Sequence, residues 1–216
     1  MAPGGIPVYL EIGIKKVFAC SLEWPGWCRA GKTEEDALQV LAAYAPRYRE
    51  VAEMASRRFP TVVEDALQVV ERIPGSGTTD FGAPGEVAAA DRGKVDARTA
   101  GRLRDLLQAV WEYLDRVVAG APAVLKKGPR GGGRDRDQVF GHVLGAEAGY
   151  SRSLGLKLKE PPADDPQAIK EFRNAILEVI RPSNGTEQAK WPVPYAVRRI
   201  AWHALDHAWE IQDKSS

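Results

Sequence analysis

Three histidines make up the whole histidine complement of this 216-residue chain, and their spacing suits one metal ion. His203 and His207 stand four residues apart in Ile200-Ala201-Trp202-His203-Ala204-Leu205-Asp206-His207, an unbroken helical pattern. That spacing stacks both imidazoles on one helix face. His142 falls in a second amphipathic stretch, Val139-Phe140-Gly141-His142-Val143-Leu144. Each histidine lies within an apolar stripe: Val139, Val143 and Ala146 beside His142, and Ile200, Ala204 and Ile211 beside the other two. An unpartnered buried imidazole costs about 1–3 kcal/mol. A lone core histidine is best read as bonded to a carbonyl. Three, two of them in an HxxxH pair, read better as ligands of one zinc, nickel, copper or iron ion.

Three protein ligands leave a fourth position for water, substrate or a carboxylate. Glu210, three residues after His207 and seven after His203, can reach inward as a partner of the site or a general base; its role stays open between that and the surface. Glu147, five residues after His142, is read as a surface carboxylate. Asp206 points about 100° away from His207 and is also expected on the surface. A dication on three neutral ligands would favour an anion, acidify bound water or deprotonate a thiol. Either route makes a nucleophile without a serine or cysteine of the chain. Cys20 is expected buried on a strand and Cys28 as a small apolar filler. Trp202 and Trp209, seven apart, share one flank of their helix; packing is the default reading, with a substrate wall as the other. Arg198 and Arg199 are expected in solvent near that helix's start.

Four helices must position these residues. The first runs from residue 96 or 99 to 118, with Leu103, Leu106, Leu107, Val110, Leu114 and Val117 on one stripe. The second covers 135–154. The third covers 166–180 and turns Ile169, Phe172, Ile176 and Val179 inward. The last covers 195–212, after Pro192 and Pro194. Such helices around one apolar core make a four-helix bundle. Between the first two lies a glycine-rich stretch, 128–133, read as a flexible connector because no GxxxxGK[ST] spacing or preceding strand accompanies it.

Ahead of residue 90 the pattern changes. Residues 8–13, 15–22 and 67–73 read as strands, and Trp24-Pro25-Gly26-Trp27 as a turn with two aromatic anchors. Thr33 caps a helix opening Glu34-Glu35-Asp36, where the helix dipole favours acids. Pro46 disturbs that helix, which resumes over 48–55. The stretch 74–85 reads as turn and loop. The expected fold class is therefore α+β: a small ββαβ layer over residues 1–90, then a helical bundle over 95–216.

Two resemblances sharpen this reading. The run Gly133-Arg134-Asp135-Arg136-Asp137 through His142-Val143-Leu144-Gly145-Ala146-Glu147, with the terminal Trp202-His203-Ala204-Leu205-Asp206-His207-Ala208-Trp209-Glu210, resembles the DinB-like superfamily. The resemblance covers roughly residues 95–214. It implies a four-helix bundle in which His142, His203 and His207 hold a divalent metal, zinc or nickel foremost. It also implies chemistry with a low-molecular-weight thiol such as mycothiol or bacillithiol, and bundles that pair as homodimers. The N-terminal run Leu22-Glu23-Trp24-Pro25-Gly26-Trp27, then Gly31-Lys32-Thr33-Glu34-Glu35-Asp36-Ala37-Leu38, is similar to the HicB-like antitoxin fold. Trp27 stands where that family's turn carries cysteine, and Cys28 follows it. No DNA-binding segment is evident, so the fold carries over and the antitoxin role does not.

Composition narrows the partners. Lys plus Arg number 30 against 29 for Asp plus Glu, so no charge excess points to nucleic acid or a membrane surface. No apolar run approaches the ~20 residues of a membrane span. The opening residues lack a signal peptide's basic and apolar regions, and two cysteines make no disulfide framework; the expected location is the cytoplasm. Two function classes follow. One is a metal-dependent enzyme, a thiol-dependent transferase or a hydrolase acting on a small molecule. The other is a non-catalytic, metal-stabilised binding or stress-associated protein with a HicB-like contact module.

Overall fold

In the computed structural model, which describes residues 5–128, 132–185 and 189–215, the apolar runs near the N-terminus form strands. The first four residues and 129–131, the centre of the glycine-rich connector, lie outside the described residues. β1 (Ile6–Ile12) and β2 (Val17–Ser21) make an antiparallel hairpin with Val8 opposite Ser21. Here the sequence reading needs one correction. Cys28–Gly31 forms a further strand, β3, beside β2. It was missed because a four-residue strand carrying Arg29 shows no usable alternation. The strand predicted over 67–73 is β4 (Leu67–Pro74), which pairs parallel to β1, and the sheet order is β3-β2-β1-β4.

The extra strand changes the cysteines. Cys20 and Cys28 are direct partners across β2 and β3 and are joined as a disulfide, so Cys28 is not merely an apolar filler. The pair also removes cysteine usage as an indication of a reducing compartment.

Two helices connect β3 to β4. Thr33 caps α1 (Glu34–Ala43), its side chain accepting from the Asp36 amide at 3.1 Å. A single residue, Tyr44, separates α1 from α2 (Ala45–Met54), with Pro46 in the first turn, where its missing N–H costs no helical bond. The break is sharper than expected and the restart earlier. α1 covers one sheet face and α2 packs toward α4, and Val8, Leu10 and Ala19 share a core with Leu41, Tyr48 and Val51. The Trp24–Trp27 turn locks beneath them. The Trp27 indole N–H donates to the Leu41 carbonyl at 3.0 Å, and the Tyr48 hydroxyl to the Pro25 carbonyl at 2.8 Å.

The stretch expected as loop contains a short helix, α3 (Gly77–Phe81), capped by Ser76. Buried Glu11 organises it: its carboxylate accepts from the Thr79 hydroxyl and from the amides of Gly85 and Glu86, at 2.5, 2.9 and 3.0 Å. A carboxylate so supplied with donors can remain in the interior. A 3₁₀ turn, Ala89–Arg92, then leads to the long helices.

These are α4 (Ala97–Gly120), α5 (Arg136–Ser153), α6 (Pro166–Glu178) and α7 (Val193–Ser215). Asp96 proves to be the cap of α4, accepting from the Thr99 amide at 2.7 Å. All six stripe residues predicted for α4 are buried. On α6, Ile169, Phe172 and Ile176 are buried and Val179 is half-buried. The observed architecture is a small four-stranded N-terminal sheet followed by helices, seven α-helices among the described residues. None of them is long and apolar enough to cross a membrane.

Sheet and helices share one continuous core, running from Ile6, Val8 and Leu10 through Leu41 and Val51 to Leu107, Ile176 and Ile200. The N-terminal layer makes a close approach to α7 at Gly26, whose φ of +89° is left-handed. A Cβ there would come within 2.9 Å of the Ala201 carbonyl carbon and 2.8 Å of Leu205 on α7. The other sheet face is covered too: Tyr9, Phe18 and Cys20 cluster with Ala88 and Trp202.

Arg198 also departs from its expected place. Instead of standing in solvent it is buried, its Nη2 donating to Asp91, which also accepts from the Ala88 amide at 3.0 Å. The start of α7 is buried by the sheet and the 3₁₀ turn, so a cation there must find a carboxylate. Breaking a buried pair leaves an uncompensated charge, at a cost of about 3–5 kcal/mol. Asp91→Ala is therefore expected to lower unfolding free energy by about that amount, read from urea denaturation. A loss under about 1 kcal/mol would mean that Arg198 reaches water without its partner.

Candidate metal centre

α5 supplies His142 and α7 supplies His203 and His207. The N-terminus of α5 is set by Asp135, whose amide donates to Gln138 Oε1 at 3.0 Å, and Val139 and Val143 bury its inner stripe. Packing of α5 on α7 brings the third imidazole to the HxxxH pair. Ring centroids are 4.6 Å apart for His203 and His207, and 5.0 Å from His142 to each. One potential ligand atom from each histidine lies within 4.8 Å of the others, so the group could hold a metal ion. No carboxylate joins it among the described residues.

Burial differs across the three. His203 is 7% exposed, while His142 and His207 are half-buried. His203 Nδ1 is buried without a hydrogen-bond partner. Burial pushes the His203 imidazole down to about 2, with His207 and His142 adding to the effect. His142 is lowered as well, first by burial and then by Arg134 and His207. A cluster of imidazole nitrogens, one of them stranded, is the kind of donor set a transition metal takes. The residues present fit such an ion.

Glu210 does reach inward. Its Oε2 lies 2.7 Å from His207 Nδ1, and its Oε1 accepts from Lys214. The hydrogen bond with His207 holds the carboxyl down to about 2, assisted by Lys214 and opposed by burial. A proton on Nδ1, assigned from this contact, leaves Nε2 as the metal-binding atom of His207. Around His203 stand Tyr150, with ring centroids 5.7 Å apart, and Trp202 at 6.1 Å. Trp191 packs on Tyr150 at 5.4 Å.

The other expectations divide. Trp202 and Trp209 are packing residues: Trp202 meets Phe18 at 6.0 Å, edge to face, and Trp209 meets Tyr44 at 5.1 Å. Asp206 is not a free surface carboxylate, because Arg29 Nη1 donates to it at 2.8 Å and both are partly buried. Glu147 is the clearest correction: expected on the surface, it is fully buried. The Trp111 indole N–H donates to its Oε1 at 2.6 Å, and Arg173 Nε lies 3.8 Å from its Oε2. The signal was present, since Glu147 follows Val139 and Val143 at intervals of four on the buried stripe of α5. Arg173, four residues after Ile169 on α6, was overlooked in the same way.

Comparisons with protein-family models, with curated proteins and with solved structures found no match to this chain.

Burial pushes the Glu147 carboxyl up from 4.5 to about 7, with Arg173 and Trp111 pulling the other way. In the unfolded chain the same group ionises near its ordinary value. Its contribution to stability is then fully present below pH 4.5 and is lost as pH rises to about 7. Glu147→Gln keeps an acceptor for Trp111 and removes the titration. Unfolding free energy measured across that window should lose a downward slope worth about 3 kcal/mol. An unchanged pH profile would show Glu147 ionised in the fold.

Proposed function

We propose that this chain is a DinB-like metal protein: that α4 to α7 form the bundle of that superfamily and hold a divalent transition metal, zinc or nickel, on His142, His203 and His207. The observation that carries this reading is the convergence of His142, His203 and His207, one potential ligand atom from each within 4.8 Å of the others, together with a buried His203 Nδ1 that has no partner. Left as core residues they would strand a polar nitrogen at about 1–3 kcal/mol. As ligands they are satisfied together.

The activity we infer is transfer or hydrolysis on a small electrophile, with mycothiol, bacillithiol or water as the nucleophile. A bound dication with three neutral ligands would supply the acidification that makes a thiol or water nucleophilic at neutral pH. The chain's own residues provide the setting. Burial keeps His203 uncharged. Glu210 orients His207, and Lys214 holds Glu210 in place, so both carboxylate oxygens are occupied. We therefore assign Glu210 to positioning rather than to proton abstraction. Tyr150 and Trp191 give the approach to His203 an aromatic wall. A non-catalytic reading draws on a different observation: only 7% of His203 is exposed, as in a closed site bracing the helices beneath a HicB-like contact module.

Metal analysis tests the assignment. About one transition metal per chain is expected in protein purified without an affinity tag, and His203→Ala and His207→Ala should each lose it. An absence of metal in the parent chain under every loading condition would end the proposal. Glu210→Gln should keep the ion but weaken its affinity about 10–100-fold, as loss of an orienting partner does. With cobalt in place of the native ion, a shifted visible spectrum on adding mycothiol or bacillithiol supports the enzyme; an unperturbed spectrum supports the bracing role.

A further inference from the structure

α7 carries its histidine face one turn further toward the N-terminus. Tyr195, Arg199, His203 and His207 follow one another at intervals of four, so they share one side of the helix. α5 repeats the interval with His142, Ala146 and Tyr150. The two rows meet. His142 stands beside His203 and His207, and Tyr150 beside His203, with ring centroids 5.7 Å apart. Between His142 and Tyr150 the row carries only the methyl group of Ala146, itself partly exposed. Arg199 extends the row, its Cζ 5.3 Å from the Tyr150 ring centre and 4.7 Å from that of Trp202. A cation therefore stands one helical turn, about 6 Å along the axis, from His203.

The two neighbouring arginines of α7 meet different fates. Arg198 is buried against Asp91. Arg199 is only partly covered, and among the described residues no carboxylate pairs with it. Its Nη1 is enclosed and unbonded, so what reaches solvent is the remainder of the side chain. Ring faces hold a guanidinium by cation–π attraction, which spends none of its N–H donors.

The charges around the histidines are uneven. Arg134, just before α5, adds its positive field at His142 and His203, and Arg199 adds its own at His203. Glu210 is committed to His207 and Lys214. Glu160 approaches α5 at Gly145 from an exposed position, where water screens it. Unpaired arginines beside a metal position select a negative ligand and repel a positive one.

Resting on the metal reading above, we propose that Arg199 determines specificity at that centre, taking the carboxylate of a small thiol whose sulfur occupies the open metal position. The substrate class is then a carboxylate-bearing thiol, with its charge about one helical turn from the metal-bound atom. Tyr150 and Trp202 hold the guanidinium beside the site, and the small Ala146 leaves room for the chain that joins the two ends of the ligand.

Titration of the cobalt-loaded full chain with 4-mercaptobutyrate and with 4-mercaptobutan-1-ol, followed by visible absorption, tests this. Both thiols offer the same sulfur to the metal, and only the acid offers a charged partner to Arg199. The acid should bind at least about tenfold more tightly than the alcohol. Arg199→Gln should keep its metal, by elemental analysis, and its affinity for the alcohol, while the acid falls to within about twofold of the alcohol. Should Arg199→Gln not fold, Arg199→Met, which keeps an apolar contact with Tyr150 and Trp202, takes its place. Equal affinity for the two thiols, no spectral change with either, or an acid preference that survives the loss of Arg199 (the carboxylate then lying on the metal itself) would each overturn the assignment and leave the metal centre standing. No metal uptake by the parent chain would overturn the metal reading and this one with it.

Discussion

Everything in this molecule is arranged around the burial of α7 on nearly every side. Thirteen of its 23 residues are buried, and a helix apolar around most of its circumference must be enclosed by the rest of the protein. α4 and α5 take part of that surface. The N-terminal layer takes another: the Gly26 turn presses on Ala201 and Leu205, Phe18 on Trp202, and Tyr44 on Trp209. The sheet is therefore not an appendage. It forms a wall of the compartment in which the histidine-bearing helix sits.

Enclosure then dictates the electrostatics. Polar groups carried inward cannot keep their water, and each is either matched or left as an orphan. Arg198 meets Asp91, Arg29 meets Asp206, and Glu11 collects three donors from the loop that follows β4. Several buried polar atoms remain without a partner, among them His203 Nδ1 and, along the Arg173–Glu147 contact, Arg173 Nε and Glu147 Oε2. The first belongs to a cluster of imidazoles suited to a cation, and the second to a buried ion pair between α5 and α6.

Much of this was legible as pattern. The stripe from Leu103 to Val117 identified α4 with its start open between residues 96 and 99, and the cap Thr33 was named from residue type and position. The HxxxH spacing placed His203 and His207 together, because a helix brings residues four apart onto one face. What failed was the assumption that charge means solvent. Glu147, Asp206 and Arg198 were expected outside, yet one is fully buried, one partly buried and paired, and one paired in the interior. Periodicity reports which face a residue occupies but not how many faces are covered. α5 and α7 are each packed on more than one side.

The sequence by itself determined the long helices, the Thr33 cap, the hairpin and the candidate ligands, since these depend on local spacing, turn chemistry and side-chain type. Only the tertiary structure decided the rest: that His142 meets a pair about sixty residues distant, that Cys20 and Cys28 face each other across two strands, and that Arg173 and Glu147 meet in the interior. Each of these is a relation between elements remote in the chain. Packing sets such relations by the way two surfaces fit, and neither surface carries that information alone.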